Sequence, residues 1–523
     1  MTVKRRTISW GLATIALTLG LGTMACGELI EEPKSFTTTD TFYQTAADLN
    51  VATFAVYQAF RGWQGQGIWT TLELASDQTR AENREPNAGT RGPDYLDWSA
   101  STGNGGAWWN TGYTIITRAN LVLDNAPNIT ATDTAQKSYN IGEAKLMRGY
   151  TYALLARAYD DVPLLLSLEE QSNPRVTRTP VEQVEQAAIT DMEEAEALLP
   201  AVWRTTDGFG LPTAGRLTKG AAQMALADLY LWRSSFRETG EWAQASQWAK
   251  KVIDSGSWTL NDDYHSTFLP SRKNNKEMIW FIANAGLSAN TRSLFQLFYY
   301  PRDWGIDLGQ GGGWGLIHPT DWHLNSYEAG DYRATMCTAR DNNQCGFIRS
   351  GCAANGVCIA NFADGPMPYK YHSSNGGIDW TLMDVDVPLY RFAEAYLIHA
   401  EAENELGNTA TALASLNVIR ARARKGTGAE TRASPADVTV AGGLPLRDAI
   451  YVERNWELAF EAKRWWDLVR RNSLEPGYWR SQLLAHDQAN VEKLTLLSDH
   501  KMRMPIPAGA ISLNPALTQN PGY

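Results

Sequence analysis

The sequence predicts a mostly α-helical protein, a scaffold of helix–turn–helix pairs interrupted by long irregular loop regions. Three observations carry that expectation. Apolar residues recur at helical spacing over long stretches. Those stretches come in pairs joined by short, glycine-containing turns. Between them lie two regions rich in Gly, Pro, Trp and Asn that show no period, residues 62–110 and 258–386.

Each element follows from its own pattern. In GEAKLMRGYTYALLARAYDDVP, Ala144, Met147, Thr151, Leu154 and Ala158 fall on one helical face, and Pro163 ends the run. TPVEQVEQAAITDMEEAEALLP starts with Thr179 as N-cap and Pro180 at N1, with Glu182 and Gln183 in the first turn. GRLTKGAAQMALADLYLWRSSF and EWAQASQWAKKVIDSG form one pair; VPLYRFAEAYLIHAEAENELGN and TATALASLNVIRARA form another. At about 34 residues per pair they resemble tetratricopeptide units. ERNWELAFEAKRWWDLVRR, Glu453 to Arg471, reads as the last long helix. Long structureless connections in a compact protein are usually functional or locally stabilised. No flexible linker is marked, so residues 26–523 read as one domain.

Composition narrows the function. The chain of 523 residues is 44% hydrophobic and carries a net charge of −10. It has no basic block, which argues against a nucleic-acid partner. Trp and Tyr, 20 and 21, outnumber Phe, 14, favouring aromatic rings with a polar edge. The first residues read as an export signal, with Lys4, Arg5 and Arg6 ahead of an apolar stretch from Ile8 to Met24. Small residues then lead to Cys26, which resembles a lipoprotein cleavage and acylation site. Cutting there removes three positive charges and takes the chain from −10 to −13. Two acyl chains would anchor it stably to a membrane. The other cysteines, Cys337, Cys345, Cys352 and Cys358, lie in a single insertion. An even number in an exported chain reads as two disulfides, with three connectivities open. Zinc is the rival, but there is no CxxC knuckle and no His among them.

No strong catalytic motif is present. GQGGGWG lacks the Lys and the strand–helix context of a phosphate loop. His318 and His323, beside Pro319 and Asp321, make a weak metal constellation, and Asp384 and Asp386 a weak calcium one. No cofactor is expected; Asp384 and Asp386 could touch a structural calcium, but the spacing around them does not follow an EF-hand loop. Glu453, Glu457 and Glu461 recur every fourth residue, so Glu457 and Glu461 are candidates for a glycosidase carboxylate pair. Arg454, Lys463 and Arg464 stand among them, and Lys463–Asp467 and Asp467–Arg471 add further pairs. Such neighbours keep carboxylates ionised, whereas a general acid needs a raised pKa, so the stretch reads as structural.

The aromatic loops point elsewhere. The early loop offers Trp63, Trp69, Tyr95, Trp98, Asn104, Trp108 and Trp109; the middle loop offers Tyr299, Tyr300, Trp304, Asp307, Trp314 and Trp322. Flat apolar faces edged by Asn, Asp and Arg suit a sugar ring.

The order of the segments resembles the SusD/RagB family of outer-membrane nutrient-binding lipoproteins. WWNTGYTIITRANLVLDN, GEAKLMRGYTYALLARAYDDVPLL and WAKKVIDSGSWTLNDDYHSTF match its early and central blocks. ERNWELAFEAKRWWDLVRR and MPIPAGAISLNPALTQNPGY match its later ones. The resemblance implies four tetratricopeptide-like pairs and a lipid-anchored protein at the cell surface, set as a lid on a TonB-dependent transporter. It also implies non-catalytic binding of oligosaccharides, or of peptides in some members. The ligand would sit among the early- and middle-loop residues, here Trp69, Trp98, Asn104, Tyr300, Trp304, Asp307 and Trp314. The cysteine-bearing insertion at 337–358 is not a general feature of the family.

Overall fold

The computed structural model describes residues 42–63, 68–81, 88–101, 103–129, 134–203, 214–269, 272–284, 298–299, 314–337, 346–348, 351–352, 358–359, 365–371, 384–426, 431–487 and 491–523. Cys26 and the export segment lie outside these, as do Tyr300, Trp304, Asp307 and Cys345. Met1–Gln44 forms one unit and Thr45–Tyr523 a second. No helix among the described residues is long and apolar enough to cross a membrane.

The second unit is mostly helical, as expected. Its principal helices are α1 (Ala46–Gly62), α2 (Trp69–Ala75), α3 (Ala88–Asp94), α4 (Gly103–Asn125), α5 (Thr134–Tyr159), α6 (Val181–Leu198), α7 (Lys219–Phe236) and α8 (Trp242–Asp254). After the middle loop come α9 (Phe392–Glu405), α10 (Thr409–Ala423), α11 (Leu444–Glu457), α12 (Arg464–Leu474), α13 (Tyr478–His486) and α14 (Val491–Thr495). Sequence neighbours pack together, α4 on α5, α5 on α6, α7 on α8 and α9 on α10, and α8 packs back on α9. The two predicted helix pairs are thus present.

α5 lies at the centre. Its predicted face is buried, and so is nearly everything else from Glu143 to Tyr159, because α4 and α6 cover it from two sides. A Cβ at Gly149 would come within 2.8 Å of the Ala188 carbonyl on α6, so only glycine permits this approach. Beside it, Arg148 grips Asp191 through two bonds of 2.7 and 2.8 Å. Leu397, Leu416, Ile419, Leu446, Ile450 and Leu458 form a second, contiguous core. Each such side chain contributes roughly 1.5–3 kcal/mol relative to exposure.

Two local expectations are corrected. The helix at Val181 is capped by Pro180, not Thr179; the residue before a proline is held extended, and Thr179 donates its N–H to the Val162 carbonyl at 2.9 Å. The stretch Glu453–Arg471 is not one helix. α11 ends at Glu457, α12 starts at Arg464, and Phe460 and Ala462 between them adopt positive φ of 62° and 58°. Partners from elsewhere satisfy that turn. Lys370 donates to the Ala459 carbonyl (2.8 Å), Tyr371 to that of Phe460 (2.7 Å), and the Ala462 N–H donates to the Glu73 carboxylate.

The region 258–386 is less irregular than its composition suggests. β2 (Met278–Ile282) pairs antiparallel with β9 (Val387–Arg391), every residue of both buried. β1 (Thr79–Ala81) pairs antiparallel with β3 (Ile317–Pro319). β4 (Met336–Cys337) runs parallel to β5 (Phe347–Ile348), which meets β8 (Met367–Pro368), and β6 (Gly351–Cys352) pairs with β7 (Cys358–Ile359).

Candidate functional site

The β1–β3 ladder joins the early and middle loops. Thr79 stands opposite Pro319, Arg80 opposite His318 and Ala81 opposite Ile317. The early loop leaves at Ala81 and the middle loop enters at Ile317, so both connect to the same end of one ladder. Thr320 secures the other end, its N–H donating to the Gln78 carbonyl at 2.9 Å and its hydroxyl to that of Asp77 at 2.7 Å. At the loop end, Trp314 is 41% exposed. Phe298 braces its indole edge-on at 5.4 Å, and the Leu316 N–H donates to the Phe298 carbonyl at 2.9 Å.

Other predicted ligand residues are placed differently. Trp98 is only 5% exposed; its indole N–H donates to the Lys501 carbonyl at 2.9 Å and its ring meets Trp465 edge-on. Trp69, 3% exposed, packs on Tyr371. Both indoles are therefore packed inside the protein, as are the buried Trp63, Trp108, Trp109 and Tyr299. Burying a large ring stabilises a loop more than displaying it does. Asn104 belongs by its backbone to the first turn of α4 rather than to a loop. Trp322 stacks on His486 at 3.6 Å.

A clamp that sequence reading missed fixes the ladder. Asp77, just before β1, accepts two bonds of 2.7 Å from Arg464 and lies 2.8 Å from His486 Nδ1. Lys493 on α14 donates to the carbonyls of Leu74 (3.2 Å) and Ser76 (3.0 Å) and pairs with Asp487 at 2.9 Å.

The residues of the two weak metal constellations have other partners. His318 and His323 are buried, and His318 Nε2 lies 2.8 Å from the Gly315 carbonyl. Burial pushes the His323 imidazole down to about 3, so it stays neutral. Asp386 accepts the Asn284 N–H at 2.9 Å and lies 3.7 Å from Lys273. Among the described residues, no three His, Cys, Asp or Glu gather as ligands.

Glu453, Glu457 and Glu461 are buried and engaged. Arg333, Arg391, Arg420, Arg422 and Lys370 face Asp331, Glu277, Glu453, Glu457 and Glu461 in one network. Burial alone would raise the Glu457 carboxyl, but Arg422, Arg391 and Arg333 outweigh it and hold it at about 2. Glu461 is likewise lowered, by Arg391 and Lys370 against burial. Neither group can give up a proton as a general acid at neutral pH, and neither reaches solvent. The hydrolase reading fails on this site.

Glu73 behaves in the opposite sense. Burial pushes its carboxyl up to about 8; the Ala462 N–H and Lys370 oppose this only in part. A raised folded-state value stabilises the protein below the unfolded value of 4.5, and that contribution is lost as pH rises towards 8. Glu73→Gln is therefore expected to gain about 2–4 kcal/mol relative to wild type between pH 5 and pH 8. Urea titrations at the two pH values measure it, and equal differences at both would refute the assignment.

A cavity of about 290 Å³ lies between α1 and β2, lined by Phe54, Tyr57, Phe60, Arg61, Arg216 and Trp280 among others. Among the described residues, neither Trp69, Trp98 nor Trp314 lines it. Its size is at the lower bound for ligand pockets.

Known proteins share this architecture. Residues 336–523 match the SusD family, and residues 37–231 match a family described as starch-binding and associating with the outer membrane. Over 97% of its length the chain is 27% identical to SusD-like protein P2 of Formosa agariphila, covering 98% of that protein. A SusD superfamily structure from Parabacteroides distasonis superimposes with a TM-score of 0.74 at 23% identity, covering 91% of this chain and 99% of that one. A laminarin-binding SusD-like protein gives 0.72 at 22%, covering 92% and 100%. These likenesses to solved structures establish a shared fold.

Proposed function

Because this chain belongs to the SusD/RagB family, a family of carbohydrate-binding proteins rather than enzymes, we propose that it binds oligosaccharides or polysaccharides at the outer membrane. In this reading the chain captures glycan without cleaving it and delivers it to a TonB-dependent transporter. The Cys26 lipid anchor would hold it at the surface. The observation that carries the reading is the loop end of the β1–β3 ladder, where Trp314 presents an exposed indole on a rigid mount. An indole face of this kind stacks against the C–H face of a sugar ring while neighbouring polar groups meet its hydroxyls.

Isothermal titration against a panel including starch and laminarin oligosaccharides tests it. Binding is expected in the micromolar to millimolar range, about −4 to −8 kcal/mol. Sugar hydroxyls exchange water for protein partners with little net gain. Trp314→Ala is expected to weaken binding by at least about tenfold, or 1.4 kcal/mol. Phe54→Ala, in the separate cavity, should leave it unchanged. Heat with peptides and none with any glycan would replace the sugar reading with a peptide one.

A further inference from the structure

The backbone register of the insertion at 337–358 discriminates among its cysteines. β6 and β7 run antiparallel, with Gly351 opposite Ile359 and Cys352 opposite Cys358. Directly opposed residues in such a ladder have Cα atoms about 4.5–5.5 Å apart. That separation falls inside the range of roughly 4.4–6.8 Å spanned by disulfides. Cys337, by contrast, stands level with Ile348 in the β4–β5 ladder, opposite neither of the other strand-borne cysteines.

We propose that Cys352 and Cys358 form a disulfide across the β6–β7 ladder, which leaves Cys337 and Cys345 as each other's intrachain partner. Of the three connectivities that four cysteines allow, the register supports this one. The bond forms by exchange with a disulfide-bearing oxidant of the exporting compartment. One thiolate of the pair attacks the oxidant's disulfide, giving a mixed disulfide and releasing one thiol. The second thiolate then attacks the mixed disulfide and releases the other. The chain loses two protons and two electrons, and the oxidant's disulfide takes them up to become two thiols. The bond closes a covalent ring between Cys352 and Cys358, and its test does not depend on the glycan reading.

Trypsin separates the possibilities without any variant. Cleavage after Arg333, Arg340, Arg349 and Lys370 puts Cys337 in peptide 334–340, Cys345 in 341–349, and both Cys352 and Cys358 in 350–370. The experiment is a map of the full-length exported chain, alkylated and digested unreduced. The expected result is a lone 350–370 peptide, unalkylated and lighter by two hydrogens than its reduced form, with 334–340 joined to 341–349. Alkylated Cys352 and Cys358 in the unreduced sample, or 350–370 joined to either of the other peptides, would overturn the proposal.

Discussion

Arg391→Met is expected to destabilise the protein by about 3–5 kcal/mol, measured as a shift in urea midpoint at pH 7.5. Arg391 ends β9, is fully buried, and sits where three carboxylates converge. It pairs with Glu277 at 3.0 Å, with Glu457 at 2.5 Å and with Glu461 through Nε at 2.9 Å, and also donates to the Glu457 carbonyl. Removing it leaves the three carboxylates short of one cation in an interior that water does not reach. That is costlier than never having built the network. The pH dependence supplies a second reading. Glu457 is held at about 2 in the folded state, below its ordinary 4.5. Its contribution is therefore complete above pH 4.5 and lost as pH falls towards 2. Without Arg391 the carboxyls titrate higher, so the acid-unfolding midpoint should move up. A loss below about 1 kcal/mol with no such move would show that the network is energetically neutral.

The second large effect is expected at Lys493. Lys493→Met removes a buried cation that holds Asp487 at 2.9 Å and the carbonyls of Leu74 and Ser76. Asp94 lies nearby at 3.9 Å. Burial raises both aspartates, Asp94 to about 6, and Lys493 is the charge that opposes this most directly. The variant should lose about 3–5 kcal/mol at neutral pH. Part of this should return near pH 5, where the stranded aspartates take up protons at less cost. Melting temperatures at pH 7.5 and pH 5 check it; a loss that does not depend on pH would contradict the charge assignment. The early loop should also become more open to proteolysis, since its backbone carbonyls lose their tether.

What the sequence reveals differs by element, for physical reasons. α7 with α8 and α9 with α10 are legible because a helix that buries one face writes that face at helical spacing, and Gly407, with φ of 82°, marks the turn between α9 and α10. The break in Glu453–Arg471 is illegible because no glycine or proline announces it; Glu73, Lys370 and Tyr371 impose it from distant parts of the chain. The carboxylate chemistry is legible in direction, since the flanking Arg and Lys foretell ionised groups. Arg333, Arg391 and Arg422, which do most of the pairing, come from elsewhere in the sequence. The candidate site is legible only by region. Composition identifies aromatic loops, yet a tryptophan that anchors a loop and one that meets a ligand have the same letter and similar neighbours. Trp98 and Trp314 divide on burial alone.

The β1–β3 ladder bears on how this protein can change. Its three residue pairs, held by Asp77, Thr320 and Lys493, fix where the chain leaves β1 and where it enters β3. A substitution that breaks either strand therefore displaces the end of one loop and the start of the other together, so the two lose their placement as one.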